Sequence, residues 1–285
     1  GDNEEGQLGD GTTISRTVLT PVANLNTLAG ITVSLFQNSC AWDDEGTVYC
    51  WGSNAQGILG PKELPRSAAP KKIEGLPPVE HVVLGAFHAC ALTRDGEVYC
   101  WGDNRAGQAA QDEQTPRVEK PALVEGRSNI RDLVAGAEHT CAATKGGSLV
   151  CWGKNDQGQL GLGTDQIPAS STPRAVGLVP SKLHAISASF THTCATFGES
   201  RRLYCWGANT YGQLGLDDLN PRFYPEEIPE IAYVDELVTA AAQVCARIGD
   251  DVFCAGEPLM APEEPAQQTS GFFFQKNAAL EHTTQ

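Results

Sequence analysis

The sequence is short of several things, and each shortage closes off a class of function. Cations are scarce: 20 Lys and Arg stand against 35 Asp and Glu, a net charge of −15. Such a surface repels phosphate backbones and anionic lipid, so neither nucleic acid nor a membrane surface is expected as a partner. No apolar run of about 18 residues occurs, so no membrane span is expected. The ten cysteines include no Cys-x-x-Cys pair, the short spacing on which many zinc sites are built. No Asn-x-Ser/Thr sequon is present, which fits a bacterial source. The serines lack a nucleophile-elbow context, and the acids weighed as catalysts (Asp43, Asp44, Asp95, Asp217, Asp218) all lie in turns, where carboxylates cap backbone amides. The expectation is therefore no enzyme and no cofactor.

What is present is repetition. Trp51, Trp101, Trp152 and Trp206 are spaced by 50, 51 and 54 residues, and a fixed period of that size marks a solenoid or a propeller. Each tryptophan closes a segment of two short runs around turn residues, as in Cys90-Ala-Leu-Thr93, Arg94-Asp95-Gly96 and Glu97-Val-Tyr-Cys100. This reads as a β-hairpin. A fifth copy, Cys245 to Cys254, has lost its Trp-Gly. Residues 1–9 repeat the segment that follows each tryptophan, so the chain opens in mid-repeat; its start at Gly1 points to processing or to a fragment. The two ends of the chain are expected to complete one blade together, with the segment to about Leu25 pairing with the Cys245–Cys254 hairpin.

The cysteine spacing tests the hairpin reading. A three-residue loop with glycine in the left-handed position puts Cys40 opposite Cys50, Cys90 opposite Cys100 and Cys141 opposite Cys151. A four-residue loop, Gly198 to Arg201, does the same for Cys194 and Cys205, and a two-residue Gly249-Asp250 turn for Cys245 and Cys254. Directly opposed residues come close enough for a disulfide without backbone movement. Five disulfides are the expectation, with zinc ligation or reduced structural thiols as the alternatives. Disulfides in turn imply an oxidising, extracytoplasmic compartment: secreted, periplasmic or cell-surface.

Two motifs recur around the hairpins: Gly-x-x-His before, as in Gly85-Ala-Phe-His88, and Trp-Gly-x-Asn-x-x-Gly-Gln-Leu-Gly after, as in Trp152 to Gly161. They resemble the repeat of the regulator-of-chromosome-condensation family of β-propellers over roughly residues 1–256. The resemblance implies an all-β fold, a β-propeller of four-stranded blades around an axis. Five hairpins favour five blades, or six or seven if upstream sequence is missing; seven is usual in the family. The familiar member is a reduced, nuclear exchange factor for a small GTPase, from which this chain departs in its acidity and its cysteine pairs. Other members of the family are secreted inhibitors of a bacterial enzyme such as a β-lactamase, or parts of surface and assembly proteins.

Residue by residue, the four tryptophans are expected to pack between blades, and the motif asparagines to cap their own loops. His88, His139 and His192 precede a cysteine by two residues, with Asn38 and Gln243 in the same place elsewhere. They read as hydrogen-bonding groups between blades, a shared metal site being the lesser alternative. Trp42 stands outside the repeat pattern and is a candidate surface residue. Residues 1–256 form the repeat domain, and 257–285 a Pro- and Glu-rich linker with an aromatic tail. In that tail Phe272, Phe273 and Phe274 are candidates for partner binding. The functional expectation is a non-enzymatic protein-binding scaffold or assembly component, docking through loops and tail. The inhibitor is the alternative, and an exchange factor or propeller enzyme ranks behind it.

Overall fold

The computed structural model of the chain describes residues 1–34, 36–61, 64–126, 128–180, 182–257 and 275–276, the last two by their backbone alone. No helix occurs among them. The strands form five four-stranded sheets, each an antiparallel meander whose spatial order is its chain order. The first comprises β1 (Leu28–Val33), β2 (Asn38–Asp43), β3 (Val48–Ser53) and β4 (Arg66–Lys72), and the second β5 (Val79–Leu84), β6 (His88–Thr93), β7 (Val98–Asp103) and β8 (Arg117–Leu123). The third holds β9 (Ile130–Ala135), β10 (His139–Thr144), β11 (Leu149–Lys154) and β12 (Ala169–Ala175). The fourth holds β13 (Leu183–Ala188), β14 (His192–Phe197), β15 (Arg202–Gly207) and β16 (Arg222–Glu227). The fifth holds β17 (Glu236–Ala240), β18 (Gln243–Ile248), β19 (Asp251–Gly256) and β20 (Gln275–Lys276).

The turns dictate the register. In the first hairpin the N–H of Gly46 donates to the Asp43 carbonyl at 2.9 Å and that of Asp43 to Thr47 at 3.1 Å, leaving Asp44-Glu45-Gly46 as the loop. Gly46 has a φ of 84°, a conformation that residues with a Cβ rarely adopt. The pairing that follows is Cys40 with Cys50, Cys90 with Cys100, Cys194 with Cys205 and Cys245 with Cys254. All five expected disulfides are formed, Cys141–Cys151 included, with Cα separations of 4.1 to 4.2 Å. So close an approach places each bridge at a non-hydrogen-bonded pair of the ladder. By chain entropy each bridge contributes about 2.5 to 3 kcal/mol.

The chain falls into two compact units. The first holds the first three sheets, apart from Leu149 and Ala175 at their margins; the second holds the fourth and fifth together with the loop Asn155–Pro168. Within the first unit β5 packs on β1 and β2, and β9 on β5 and β6; within the second, β17 packs on β13 and β14. In each unit, successive sheets thus stack through their leading strands. The core of the first unit includes Val82, Leu84, Leu92, Trp101, Ile130 and Leu133. That of the second includes Leu203, Leu214, Ile228, Val234 and Val244.

One expectation is corrected at the chain's start. Residues 1–16 do not act as a strand for the last hairpin: they bind the first sheet, where the Gln7 carbonyl accepts from the Trp51 indole at 2.9 Å and Gly11 donates to Ala68 at 2.9 Å. The outer partner of β19 is instead β20, with Cys254 opposite Gln275 and Phe253 opposite Lys276. The reason is in the motif: residues 1–9 are a post-tryptophan loop, and such loops are built to receive the next sheet's indole. The tail residues Phe272, Phe273 and Phe274 lie outside the described residues.

Peptide mapping of the unreduced chain is expected to return five linked pairs, each within one hairpin. A link between hairpins, or a free thiol, would overturn the register.

Candidate protein-interaction site

The rigidity behind any binding surface here comes from one repeated peptide unit. Asn155 accepts the N–H of Leu160 on its Oδ1 at 2.9 Å and donates from Nδ2 to the Ile167 carbonyl at 2.7 Å, folding the post-tryptophan loop around itself. The other half of that peptide group, the Gln159 carbonyl, accepts from the Trp206 indole of the next sheet at 3.0 Å. The same pair of bonds recurs with Asn3, Asn54 and Asn104: their Oδ1 atoms accept from Leu8, Leu59 and Ala109 at 2.8, 2.8 and 3.1 Å. The carbonyls of Gln7, Ile58 and Gln108 then accept from Trp51, Trp101 and Trp152 at 2.9, 2.9 and 3.0 Å. Each indole is buried, so an unmade bond there would leave a donor stranded.

Hydroxyls reinforce three of these carbonyls. Ser39, Thr140 and Thr193 donate to Gln7, Gln108 and Gln159 at 2.9, 3.2 and 3.0 Å. Sequence reasoning missed them, although the recurring Ser/Thr just before the cysteine (Asn38-Ser-Cys40, His139-Thr-Cys141, His192-Thr-Cys194) was the signal. Because Thr140 gives its proton to Gln108, its oxygen accepts from Nε2 of His88 at 2.8 Å, which fixes that tautomer. His88 thereby ties the second sheet to the third. His88, His139 and His192 are fully buried, each in its own sheet. Burial lowers the pKa of His88 and of His192 to about 4, keeping both neutral. Among the described residues no three His, Cys, Asp or Glu side chains gather as a metal site.

The glycine after each tryptophan permits a close approach. Gly207 has a φ of 105°, and a Cβ there would stand 2.4 Å from the Thr191 carbonyl. The strand can therefore swing out of its sheet into the loop, and this puts the loop at the same sheet end as the connection preceding the histidine position.

That end of each unit carries exposed aromatics. In the first unit Phe36, 46% exposed, stacks on Phe87 with ring centroids 5.0 Å apart. Beside them lie the ion pairs Arg105–Asp103 and Lys154–Glu138, each at 2.7 Å. In the second unit Phe190, Thr191, Tyr211, Ala241 and Ala242 line an open depression of about 230 Å³, with Tyr211 half exposed. On the flank of the first unit, Leu59, Ile73, Trp101 and Pro121 line a cleft of about 400 Å³ between Lys71, Lys120 and Glu119.

The other sequence candidates fall elsewhere. Trp42 is half-buried, its ring lying against Gly30 and the core of the first unit. Asp43 accepts the N–H groups of Glu45 and Thr47 at 3.1 and 2.8 Å, capping its turn. Asp218 is bound by Arg222 at 2.7 Å, a bond that holds its carboxyl below the usual range.

The match to a family model agrees with this architecture: residues 1–257 fit the RCC1-like domain. The chain belongs to that family. It is 31% identical over 240 residues to the ultraviolet-B receptor UVR8 of Arabidopsis thaliana, covering 81% of this chain and 53% of that protein. To the secretion-regulating guanine nucleotide exchange factor of Mus musculus it is 32% identical over 234 residues, covering 75% and 48%. The RCC1-like chain thus spans about half the length of these relatives. Among solved structures, yeast RCC1 (Prp20) bound to Kap60 superposes with a TM-score of 0.74 at 20% identity, over 86% of this chain and 60% of that one. That likeness speaks for the fold alone.

Two predictions follow from the RCC1-like lattice of bonds. Trp152→Phe keeps the ring but removes the indole donor, and is expected to lower stability by about 1 to 2 kcal/mol, against about 3 to 5 kcal/mol for Trp152→Ala; denaturant titration reads both. For pH, a histidine whose folded pKa sits near 4 against about 6.5 unfolded binds its proton more readily in the unfolded chain. Stability is then complete above the unfolded value and falls as pH drops from about 6.5 towards about 4. His88→Asn should flatten that decline, read by melting temperature against pH; an unchanged slope would exclude His88 as a source.

Proposed function

We propose that this chain is a non-enzymatic, extracytoplasmic scaffold that binds a protein partner on the rim formed by the loops before the histidine position and after each tryptophan. The observation that carries the reading is the Phe36–Phe87 stack, held half out of water on a frame of disulfide-linked hairpins. Exposed aromatics on a rigid base make binding hot spots because they bury large area at little entropic cost. The five disulfides favour an oxidising compartment. The net charge of −15 disfavours nucleic acid. Yeast RCC1, which shares the fold, is itself bound to a protein, Kap60, in its solved structure. The tail with Phe272, Phe273 and Phe274 is taken as a second point of attachment.

A second reading has the same support: a stacked aromatic pair on one face is what a secreted inhibitor of a bacterial enzyme such as a β-lactamase would insert into its target. An exchange activity like that in the mouse relative's name is left to the whole of that longer protein.

The test is capture of partners from the native source by the wild-type chain, by Phe36→Ala with Phe87→Ala, and by a chain ending at Gln268. The double variant should lose about 2 kcal/mol or more of affinity for the captured partner with its melting temperature nearly unchanged. Equal capture by wild type and double variant would remove the rim from consideration. β-Lactamase inhibition assays on the same proteins separate the two readings.

A further inference from the structure

The flank cleft of the first unit lies between the outer strands of its first two sheets. Leu59 and Gly60, in the loop after Trp51, and Ile73, just past β4, form one wall. Glu119, Lys120 and Pro121 of β8 form the other, and the buried Trp101 of β7 completes the lining. The two walls meet near Gly60, where a Cβ would stand 3.9 Å from both the Lys71 Nζ and the Glu119 carbonyl. The volume of about 400 Å³ and the apolar floor are those of a small-molecule site.

Charge at its mouth is unbalanced. Lys72 pairs with Glu74 at 3.8 Å and Arg117 with Glu119 at 3.6 Å, which leaves Lys71 and Lys120 without a carboxylate partner among the described residues. Lys71 is half-buried and uses one of its three N–H donors on the Leu59 carbonyl at 3.0 Å; Lys120 is exposed. Two unpaired ammonium groups beside one apolar cleft run against the net charge of −15.

The repeat itself does not call for either lysine. Lys71 faces Cys50 across the ladder, and in the same place Ala122 faces Cys100 and Glu226 faces Cys205. A carboxylate cannot donate to a carbonyl, so the Glu226 copy shows that the hairpin forms without an amine there. Lys120 precedes Pro121, as Ala69, Thr172 and Tyr224 precede Pro70, Pro173 and Pro225 in the other copies.

We propose that this cleft binds a small organic acid, its apolar body seated against Leu59, Ile73 and Pro121 and its single carboxylate met by Lys71 and Lys120. Lys71 has two N–H donors left for the ligand. The apolar walls exclude water and strengthen each charged contact. Glu74 and Glu119 at the same mouth disfavour a phosphate with its second negative charge. The site shares no residue with the Phe36–Phe87 rim, so it stands or falls independently of the partner-binding reading.

The test is calorimetric titration of the full chain with 2-naphthoate and with its uncharged counterpart, 2-naphthylmethanol. One naphthoate per chain should bind, at least ~10-fold more tightly than the alcohol. Amide NMR shifts should centre on Gly60, Gly75, Lys120 and the Trp101 indole N–H. The double variant Lys71→Glu with Lys120→Glu should weaken naphthoate at least ~10-fold while leaving the alcohol and the melting temperature nearly unchanged. No binding at millimolar naphthoate, equal affinity for acid and alcohol, shifts centred elsewhere, or undiminished binding by the double variant would each overturn the proposal. If that variant does not fold, the two ligands and the NMR shifts of the wild-type chain decide alone.

Discussion

One peptide group per repeat holds this fold together. Its N–H is taken by the motif asparagine five residues upstream, and its carbonyl receives the next sheet's indole, so local loop folding and sheet stacking are fastened at a single planar unit. In the Asn155 copy these are Leu160 to Asn155 at 2.9 Å and Trp206 to Gln159 at 3.0 Å. Neither bond is strong alone, worth about 1 kcal/mol net. Buried together they matter more, because losing either leaves polar atoms without water and lets the planar unit rotate away from the other. The asparagine sets where the carbonyl points, and the tryptophan reads that direction.

From this constraint the rest of the repeat follows. The loop must reverse sharply after the tryptophan, which demands a glycine with φ near 100° beside a carbonyl. The indole must reach across a fixed gap, so the sheet that bears it must not slip in register, and the disulfide at the adjacent ladder position prevents that slip. The chain's two ends test the logic in opposite ways. At the start Gln7, in the loop before the first sheet, receives Trp51. At the other end Ala255 replaces the tryptophan, and the fifth sheet keeps its ladder and its disulfide but loses the bond that fastens it to the loop before it.

Much of this is legible in the sequence because it repeats. The period reveals the sheets, and three different cysteine spacings converge on one register only if the loops differ in length, a self-consistency that chance does not supply. What stays hidden is direction in space. The sequence says that Trp152 is buried but not that its N–H seeks Gln108; it shows threonine beside Cys141 without showing that the hydroxyl shares that carbonyl and receives His88. The first nine residues are recognisable as half of a repeat, yet which sheet they serve depends on an acceptor, Gln7, that carries no side-chain signature. Trp42 misleads because it lacks counterparts in the other copies; its ring covers Gly30, a neighbour visible only once β1 is laid beside β2.

The rim is the part least constrained by these bonds, and this bears on function. The positions that fasten sheets (Asn, Trp, the glycines, the cysteines) recur in nearly every copy, while the residues between them differ. In the loop after the tryptophan the pairs are Ala55-Gln56, Arg105-Ala106, Asp156-Gln157 and Thr210-Tyr211. Before the histidine position the chain carries Phe36-Gln37, Ala86-Phe87, Ala137-Glu138, Phe190-Thr191 and Ala241-Ala242. A frame that anchors its loops through backbone carbonyls and one asparagine makes little demand on the identity of the neighbouring side chains. Those side chains can then differ from copy to copy at no cost to the stack. Aromatic and charged groups at such positions are consequently evidence about what the surface meets rather than about how the chain folds.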